Sequence, residues 1–294
     1  MRALLLAAVG LALAAPGATA AQPSIADAPI RTAKAGQREI GFRAVGKGRP
    51  LVLIMGLSGS MDAWPPSFVD ALARRHRVIT FDNAGIRRTT IGNGPLSISR
   101  MADDTASLIR ALRLRRADVL GWSMGGMIAQ SLARRHPGRV RRLVLCATAP
   151  GDGRATPPTP EGIRRLTDPN GLGALGVLFP PDRAGLAQAY LRDITAYPRL
   201  TPQAPANVRS LQSAASGEWL AGDDPSGRNP GRLRLPVLIG AGALDQALPV
   251  ANQRHLARVL PNARLKVYPR AAHGFFIQHR RDFTRRIERF LRRR

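Results

Sequence analysis

The feature that most limits how this chain can fold is an alternation. Short, unbroken apolar runs recur along it, and amphipathic helical patterns separate them. "PLVLIMG" (Pro50 to Gly56), "RVITFD" (Arg77 to Asp82), "DVLGWS" (118 to 123), "RLVLCATA" (Arg142 to Ala149), "LPVLIGAG" (Leu235 to Gly242) and "RLKVYP" (Arg264 to Pro269) read as strands. Runs of this length, rich in Val, Ile and Leu and lacking polar alternation, suit strands buried on both faces. Helical patterns fill the intervals: "SFVDALARR", "MADDTASLIRALRL" and "MGGMIAQSLARRH", the last stopping at Pro137-Gly138. "FTRRIERFL" closes the chain, with Phe283, Ile287, Phe290 and Leu291 on one face and arginines on the other. Strands alternating with helices predict βαβ units and a mainly parallel sheet, an α/β fold.

One stretch breaks the rhythm. Residues 151–234 carry many Pro and Gly and no convincing buried strand. They read as a mostly helical lid inserted between two strands of a core formed by 37–150 and 235–294. Within it, "GLGALG" (Gly171 to Gly176) matches the spacing of a dinucleotide-binding turn. It follows "TDPN" rather than a strand, so it lacks the context that gives the motif meaning.

The first twenty residues read as a removed export signal. Arg2 supplies a positive start, Ala3 to Ala15 an apolar run, and Ala18-Thr19-Ala20 a small-x-small cleavage site. The run is shorter than the roughly 18 apolar residues a spanning helix needs. Residues 21–36 show no periodicity and read as a flexible leader. The expected protein is exported, periplasmic or secreted. Its only cysteine, Cys146, sits in an apolar strand and reads as a packing residue.

The formal net charge is +26, nearly all from arginine. Such a surface attracts polyanions. The charge is dispersed and no aromatic-studded basic motif accompanies it, which argues against nucleic-acid binding. Peripheral contact with an anionic envelope surface is the expectation. Oligomeric state leaves no trace in the sequence.

The chemistry centres on Gly121-Trp122-Ser123-Met124-Gly125. "DVL" before it is a strand and "MGGMIAQSLARR" after it a helix. A turn this tight strains the backbone at the serine, and flanking glycines relieve the crowding. Gly126 allows the helix to pack closely. A serine hydroxyl then needs a base. Of five histidines, His76 and His136 follow arginines at helix ends, where surface capping explains them. His255 lies on a polar helical turn and His279 just before the terminal helix. His273 differs, because "RAAHGFFIQ" follows a strand, at the sheet edge that carries Ser123. The base needs a carboxylate to set its tautomer. Asp245, which ends "LPVLIGAGALD", also lies just past a strand; an Asx turn or helix N-cap before Pro249 is the plainer use of such a residue. Asp152 reads first as a turn residue in "PGDG", and Asp282 as an N-cap. For the oxyanion, two donors are needed. The backbone N–H of Met124 is one, and that of Leu57 the other, with Ser58 as the nearby substitute.

These features resemble the α/β-hydrolase superfamily from about Arg38 onward. The residues that carry the likeness are "GWSMGG", "GAGALD…P" and "AAHGFF", in the chain order Ser123…Asp245…His273. "MGLSGSMDAW" is similar to the oxyanion loop of the esterase- and haloperoxidase-like branches. The resemblance implies an α/β-hydrolase fold with helices on both sheet faces and a serine hydrolase that cleaves a carboxylic ester or related small acyl compound without a cofactor or metal. Two positions depart from the family pattern. Met55-Gly56 stands where many relatives have His-Gly, and Arg87 stands at the second glycine of the loop after Asp82. A cofactor-free perhydrolase or acyltransferase with the same triad is one alternative. A catalytically silent, envelope-binding scaffold is another.

Overall fold

A computed structural model describes residues 23–36, 38–166, 168, 173–200 and 204–292. The export-signal reading of residues 1–20 lies outside the described residues. The chain forms one eight-stranded sheet. Its first half contains β1 (Arg31–Ala35), β2 (Arg38–Val45), β3 (Arg49–Ile54), α1 (Pro66–Ala73), β4 (His76–Phe81), α2 (Ile98–Ala111), β5 (Ala117–Trp122), α3 (Met124–Arg135) and β6 (Val140–Cys146). Four helices follow before the next strand: α4 (Pro160–Leu166), α5 (Gly173–Leu178), α6 (Ala184–Ile194) and α7 (Ala206–Ala221). The chain then returns to the sheet with β7 (Val237–Gly242), α8 (Ala251–Val259), β8 (Ala263–Tyr268), α9 (Phe275–Gln278) and α10 (Arg280–Arg292).

The strand order is β1-β2-β4-β3-β5-β6-β7-β8. Strands β3 to β8 pair in parallel, and β1 and β2 add an antiparallel edge. From β3 the chain first moves to β4 on one side, then crosses back to β5 on the other. That reversal opens a crevice at the carboxyl ends of β3 and β5, where open α/β sheets bind ligands.

Every residue of β5 and β7 is buried, because helices cover both faces. On one face α2, α3 and α8 pack through Met101, Ile109, Ile128, Leu132 and Leu256. On the other, α1 and α10 pack through Phe68, Leu72, Phe283, Ile287 and Phe290. Each such side chain contributes roughly 1.5–3 kcal/mol of burial. The outer strand β8 is only half-buried and carries Arg264 and Lys266, charges that discourage edge-to-edge pairing with another sheet.

The leader reading of residues 21–36 fails over its described part. Arg31–Ala35 pair with β2 in register from Arg31↔Phe42 to Ala35↔Arg38. Ile25 is fully buried, and the carboxylate of Asp70 accepts hydrogen bonds from Ser24 Oγ (2.7 Å) and Ile25 N (2.8 Å). His76 also departs from expectation. It begins β4 and is buried rather than capping a helix at the surface, and desolvation holds its imidazole below the usual histidine range. Among the described residues, no helix is long and apolar enough to cross a membrane.

Candidate active site

Ser123 falls between the last residue of β5 and the first of α3, with φ 59° and ψ −125°. A non-glycine residue in this region costs on the order of 1–3 kcal/mol. The neighbouring contacts show why the turn must be so sharp. A Cβ on Gly121 would meet the carbonyl oxygen of Gly125 at 2.2 Å, and one on Gly125 would meet that of Ile54 at 2.1 Å. The strand, the turn and the helix therefore touch backbone to backbone, and only glycine permits it. The Ser123 carbonyl is held by Thr148 Oγ1 at 2.8 Å. The side chain is left half-exposed at the crevice.

The loop expected to hold the oxyanion, Met55 to Trp64, lies against this turn. A Cβ on Gly56 would sit 3.0 Å from Ser123 Cβ, so Leu57, the next residue, is beside the serine. Among the described residues, the Leu57 N–H has no hydrogen-bond acceptor. The Met124 N–H opens α3, where the first amides of a helix lack intrahelical partners. Ser58, the substitute donor, is already engaged: its N–H donates to Gln212 Oε1 at 2.8 Å. Among the described residues, Leu57 and Met124, the expected oxyanion donors, thus keep unbonded N–H groups beside the serine.

His273 and Asp245 are buried and joined, with Nδ1 and Oδ2 2.8 Å apart. The carboxylate serves both readings open in the sequence. Its Oδ1 accepts from the N–H groups of Ala247 and Leu248, both at 2.9 Å, as an Asx turn would. Its Oδ2 remains for the imidazole. A carboxylate at Nδ1 places the ring proton there and leaves Nε2 as an acceptor. The rival acids are committed elsewhere. Asp152 meets His255 Nε2 at 2.7 Å, while Asp282 accepts from Tyr268 Oη at 2.7 Å and Arg286 Nε at 2.8 Å.

Trp122 connects serine and histidine. Its indole N–H donates to the His273 carbonyl at 3.2 Å, and its ring centroid lies 5.6 Å from the imidazole. The end of α5 completes the cradle, since the N–H groups of His273 and Gly274 donate to the carbonyls of Val177 (3.2 Å) and Leu178 (2.9 Å). Ser123 Oγ itself makes no hydrogen bond to the described residues, so its link to His273 Nε2 is not closed in this conformation. Nucleophile–base contacts are commonly loose without substrate.

Arg87 resolves its own departure from the family pattern. It adopts φ 52°, the left-handed conformation a glycine would supply. Its guanidinium bonds the buried carboxylate of Asp62 and lies 3.9 Å from Asp82 Oδ2. Arg43 approaches Asp62 from the other side at 3.3 Å. Burial pushes the Asp82 carboxyl up to about 7, against the opposing hydrogen bond from the Met61 N–H and the charge of Arg87. This cluster underlies the oxyanion loop, since Asp82 Oδ1 accepts the Met61 N–H at 2.7 Å and Asn83 Nδ2 donates to the Met55 carbonyl at 3.0 Å. Sequence reasoning missed Asn83, Thr148 and Gln212 as supports, because nothing in a local pattern reveals a contact between distant segments. Among the described residues, no group of three or more His, Cys, Asp or Glu is arranged to hold a metal.

A strained serine between strand and helix, at the switch point of a mainly parallel sheet, defines the α/β-hydrolase class of architecture. Comparison with known proteins agrees. A family model described as the alpha/beta hydrolase fold matches residues 49–280, and the chain belongs to that family. It is 31% identical over 255 residues to a putative carbamate hydrolase, RutD, of Caulobacter sp. (strain K31), covering 82% of this chain and 90% of the relative. It is 30% identical over 204 residues to a pimeloyl-[acyl-carrier protein] methyl ester esterase of Chromobacterium violaceum, covering 65% of this chain and 76% of that one. An alpha/beta hydrolase fold protein from Chitinophaga pinensis superposes with a TM-score of 0.81 at 25% identity, covering 92% of this chain and all of the other. The chain is a hydrolase-family member with esterase and hydrolase relatives.

Proposed function

We propose that the protein is an exported serine hydrolase that cleaves a carboxylic ester or a related acyl compound through Ser123, His273 and Asp245. The observation that carries this reading is the 2.8 Å contact of His273 Nδ1 with Asp245 Oδ2, which leaves Nε2 for the nucleophile, beside a serine held at φ 59° on the same sheet edge. In the reaction, Ser123 Oγ attacks the acyl carbon as its proton passes to His273 Nε2. Asp245 stabilises the imidazolium. The N–H groups of Leu57 and Met124 receive the oxyanion, each contributing roughly 3–4 kcal/mol to the transition state. The imidazolium then protonates the leaving group, and water activated by His273 releases the acyl group from Ser123. Apart from water, every step uses groups of this chain, so the reading requires no cofactor. The relatives described as a methyl ester esterase and a carbamate hydrolase support acyl cleavage as the reaction class.

Export rests on the pattern of residues 1–20, and the cationic surface supports contact with an anionic envelope layer. The test of function is hydrolysis of p-nitrophenyl esters from acetate to octanoate. Wild type should turn over at least one chain length, and Ser123→Ala none above background. A wild type inactive on all of them and unlabelled by a fluorophosphonate would favour the silent-scaffold alternative.

A further inference from the structure

The segment between β6 and β7 captures the backbone of the expected oxyanion loop at Ser58, next to Leu57. Ser58 is a non-glycine residue with φ 59°, and both of its backbone polar groups are captured by that segment. Its N–H donates to Gln212 Oε1 at 2.8 Å, and its carbonyl accepts from Ala204 N at 2.7 Å. The orientation of the Gln212 amide follows from its partner: only the oxygen can face an N–H. Its Nε2 is buried with no acceptor among the described residues. A buried donor left unpaired costs about 1–3 kcal/mol. The side chain accepts that penalty in order to hold Ser58.

Helix α7, which carries Gln212, is anchored along its length. Val208, near its start, packs with Ala204 and with Ile86 of the loop after β4. Trp219, near its end, is buried and donates from Nε1 to the Ala149 carbonyl at 3.2 Å. Large apolar side chains are exposed on α4 (Ile163, Leu166), on α6 (Leu191) and on α7 itself (Leu211). Helix α7 is therefore packed against the core at both ends, on either side of Gln212.

We propose that Gln212 is a positioning residue of the oxyanion hole, acting through Ser58 to aim the Leu57 N–H. The left-handed turn at Ser58 is intrinsically unfavourable, and Leu57 precedes it directly. Without an acceptor for its N–H, Ser58 relaxes toward φ below zero; this turns the Leu57–Ser58 peptide plane and, through the Leu57 Cα, displaces the preceding plane that carries the Leu57 N–H. The consequence falls on the transition state, because the oxyanion forms only there. This inference rests on the serine-hydrolase reading above.

The test replaces Gln212 by methionine, similar in size but unable to accept the Ser58 N–H. On the best p-nitrophenyl ester, kcat should fall about 10- to 100-fold, part of the 10²–10³-fold lost when one oxyanion donor is removed. KM should stay within about 3-fold if ground-state binding is untouched. Affinity for phenylboronic acid, which forms a tetrahedral adduct at the serine, should fall in step with kcat/KM. Ester binding to the Ser123→Ala, Gln212→Met double variant should match that to Ser123→Ala alone. Ser58→Gly in the Gln212→Met background should recover at least several-fold, because glycine adopts φ near 60° without a clamp. If Gln212→Met does not fold, Gln212→Asn, one methylene too short to reach Ser58, gives the same comparison. Unchanged kcat and boronate affinity in the variant, with wild type active, would overturn the positioning role alone. A parallel loss of ester binding would also overturn it, by showing a collapsed pocket. A wild type that neither hydrolyses an ester nor binds the boronate removes the hydrolase reading and this role with it.

Discussion

Replacing Asp245 by asparagine probes how the carboxylate works. Asparagine keeps the shape but can present its oxygen to only one side. In the native protein Oδ1 accepts two backbone N–H groups, from Ala247 and Leu248, and Oδ2 accepts His273 Nδ1–H. If the oxygen of the substituted amide stays on the two backbone N–H groups, its NH₂ faces His273 Nδ1. If it turns toward the imidazole, two buried N–H groups lose their acceptor and face another donor, at about 1–3 kcal/mol each. Moving the ring proton from Nδ1 to Nε2 costs less than that sum, so the amide stays and the histidine changes tautomer. Nε2 then carries a proton and cannot accept one from Ser123. The expected loss in kcat is about 10³- to 10⁴-fold, equivalent to roughly 4–5.5 kcal/mol of barrier. KM should change little and thermal stability by only a few degrees, because the packing is preserved. The assay is p-nitrophenyl ester turnover with melting curves on the same preparations. A folded Asp245→Asn enzyme retaining more than a tenth of wild-type kcat would refute the tautomer argument.

Three further outcomes follow from the same contacts. Gly125→Ala places a methyl carbon 2.1 Å from the Ile54 carbonyl oxygen; because backbone must move on both sides, the variant should lose both soluble yield and phosphonate labelling, and a normally folded, active Gly125→Ala would contradict the steric reading. The Asp82 carboxyl, raised from 3.8 to about 7, contributes stability that is full below its unfolded value and lost as pH rises through about 7; wild type should therefore lose urea resistance between pH 5 and pH 8 more steeply than Asp82→Asn, and parallel curves would remove Asp82 as the cause. Ile287→Ala in α10 deletes a fully buried side chain and should cost about 2–5 kcal/mol in urea unfolding with kcat unchanged; a cost below about 1 kcal/mol would mean that α10 is not part of the core.

The parts of the fold legible in the sequence are those whose physics is local. Strands β3, β5, β6 and β7 are buried on both faces, so their apolar runs are unbroken and stand out. Strands β1 and β2 lie at the antiparallel edge. "RTAKA" buries only Ala33 and Ala35, too short an alternation to separate from a loop. Helix α2 begins at Ile98 rather than Met101, because the Ser97 side chain accepts the Arg100 N–H as a cap. At the site, Asp245 and His273 follow strands and were recognisable by position. The buried cluster of Arg43, Asp62, Asp82 and Arg87 joins segments up to about forty residues apart; in the sequence Arg43 is one arginine among many, and Arg87 stands out only as a departure from the family pattern. Gln212 was invisible for a related reason, since a polar residue on a helix normally faces solvent and this one faces the oxyanion loop.

The most direct test of the account is mass spectrometry of the protein after reaction with a fluorophosphonate. A single adduct should form, map to the peptide bearing Ser123, and disappear in Ser123→Ala, with labelling slowed by at least two orders of magnitude when His273 is replaced by alanine. An adduct on another residue, or labelling of Ser123 at the same rate without the imidazole, would contradict the claim that these side chains act as one catalytic unit.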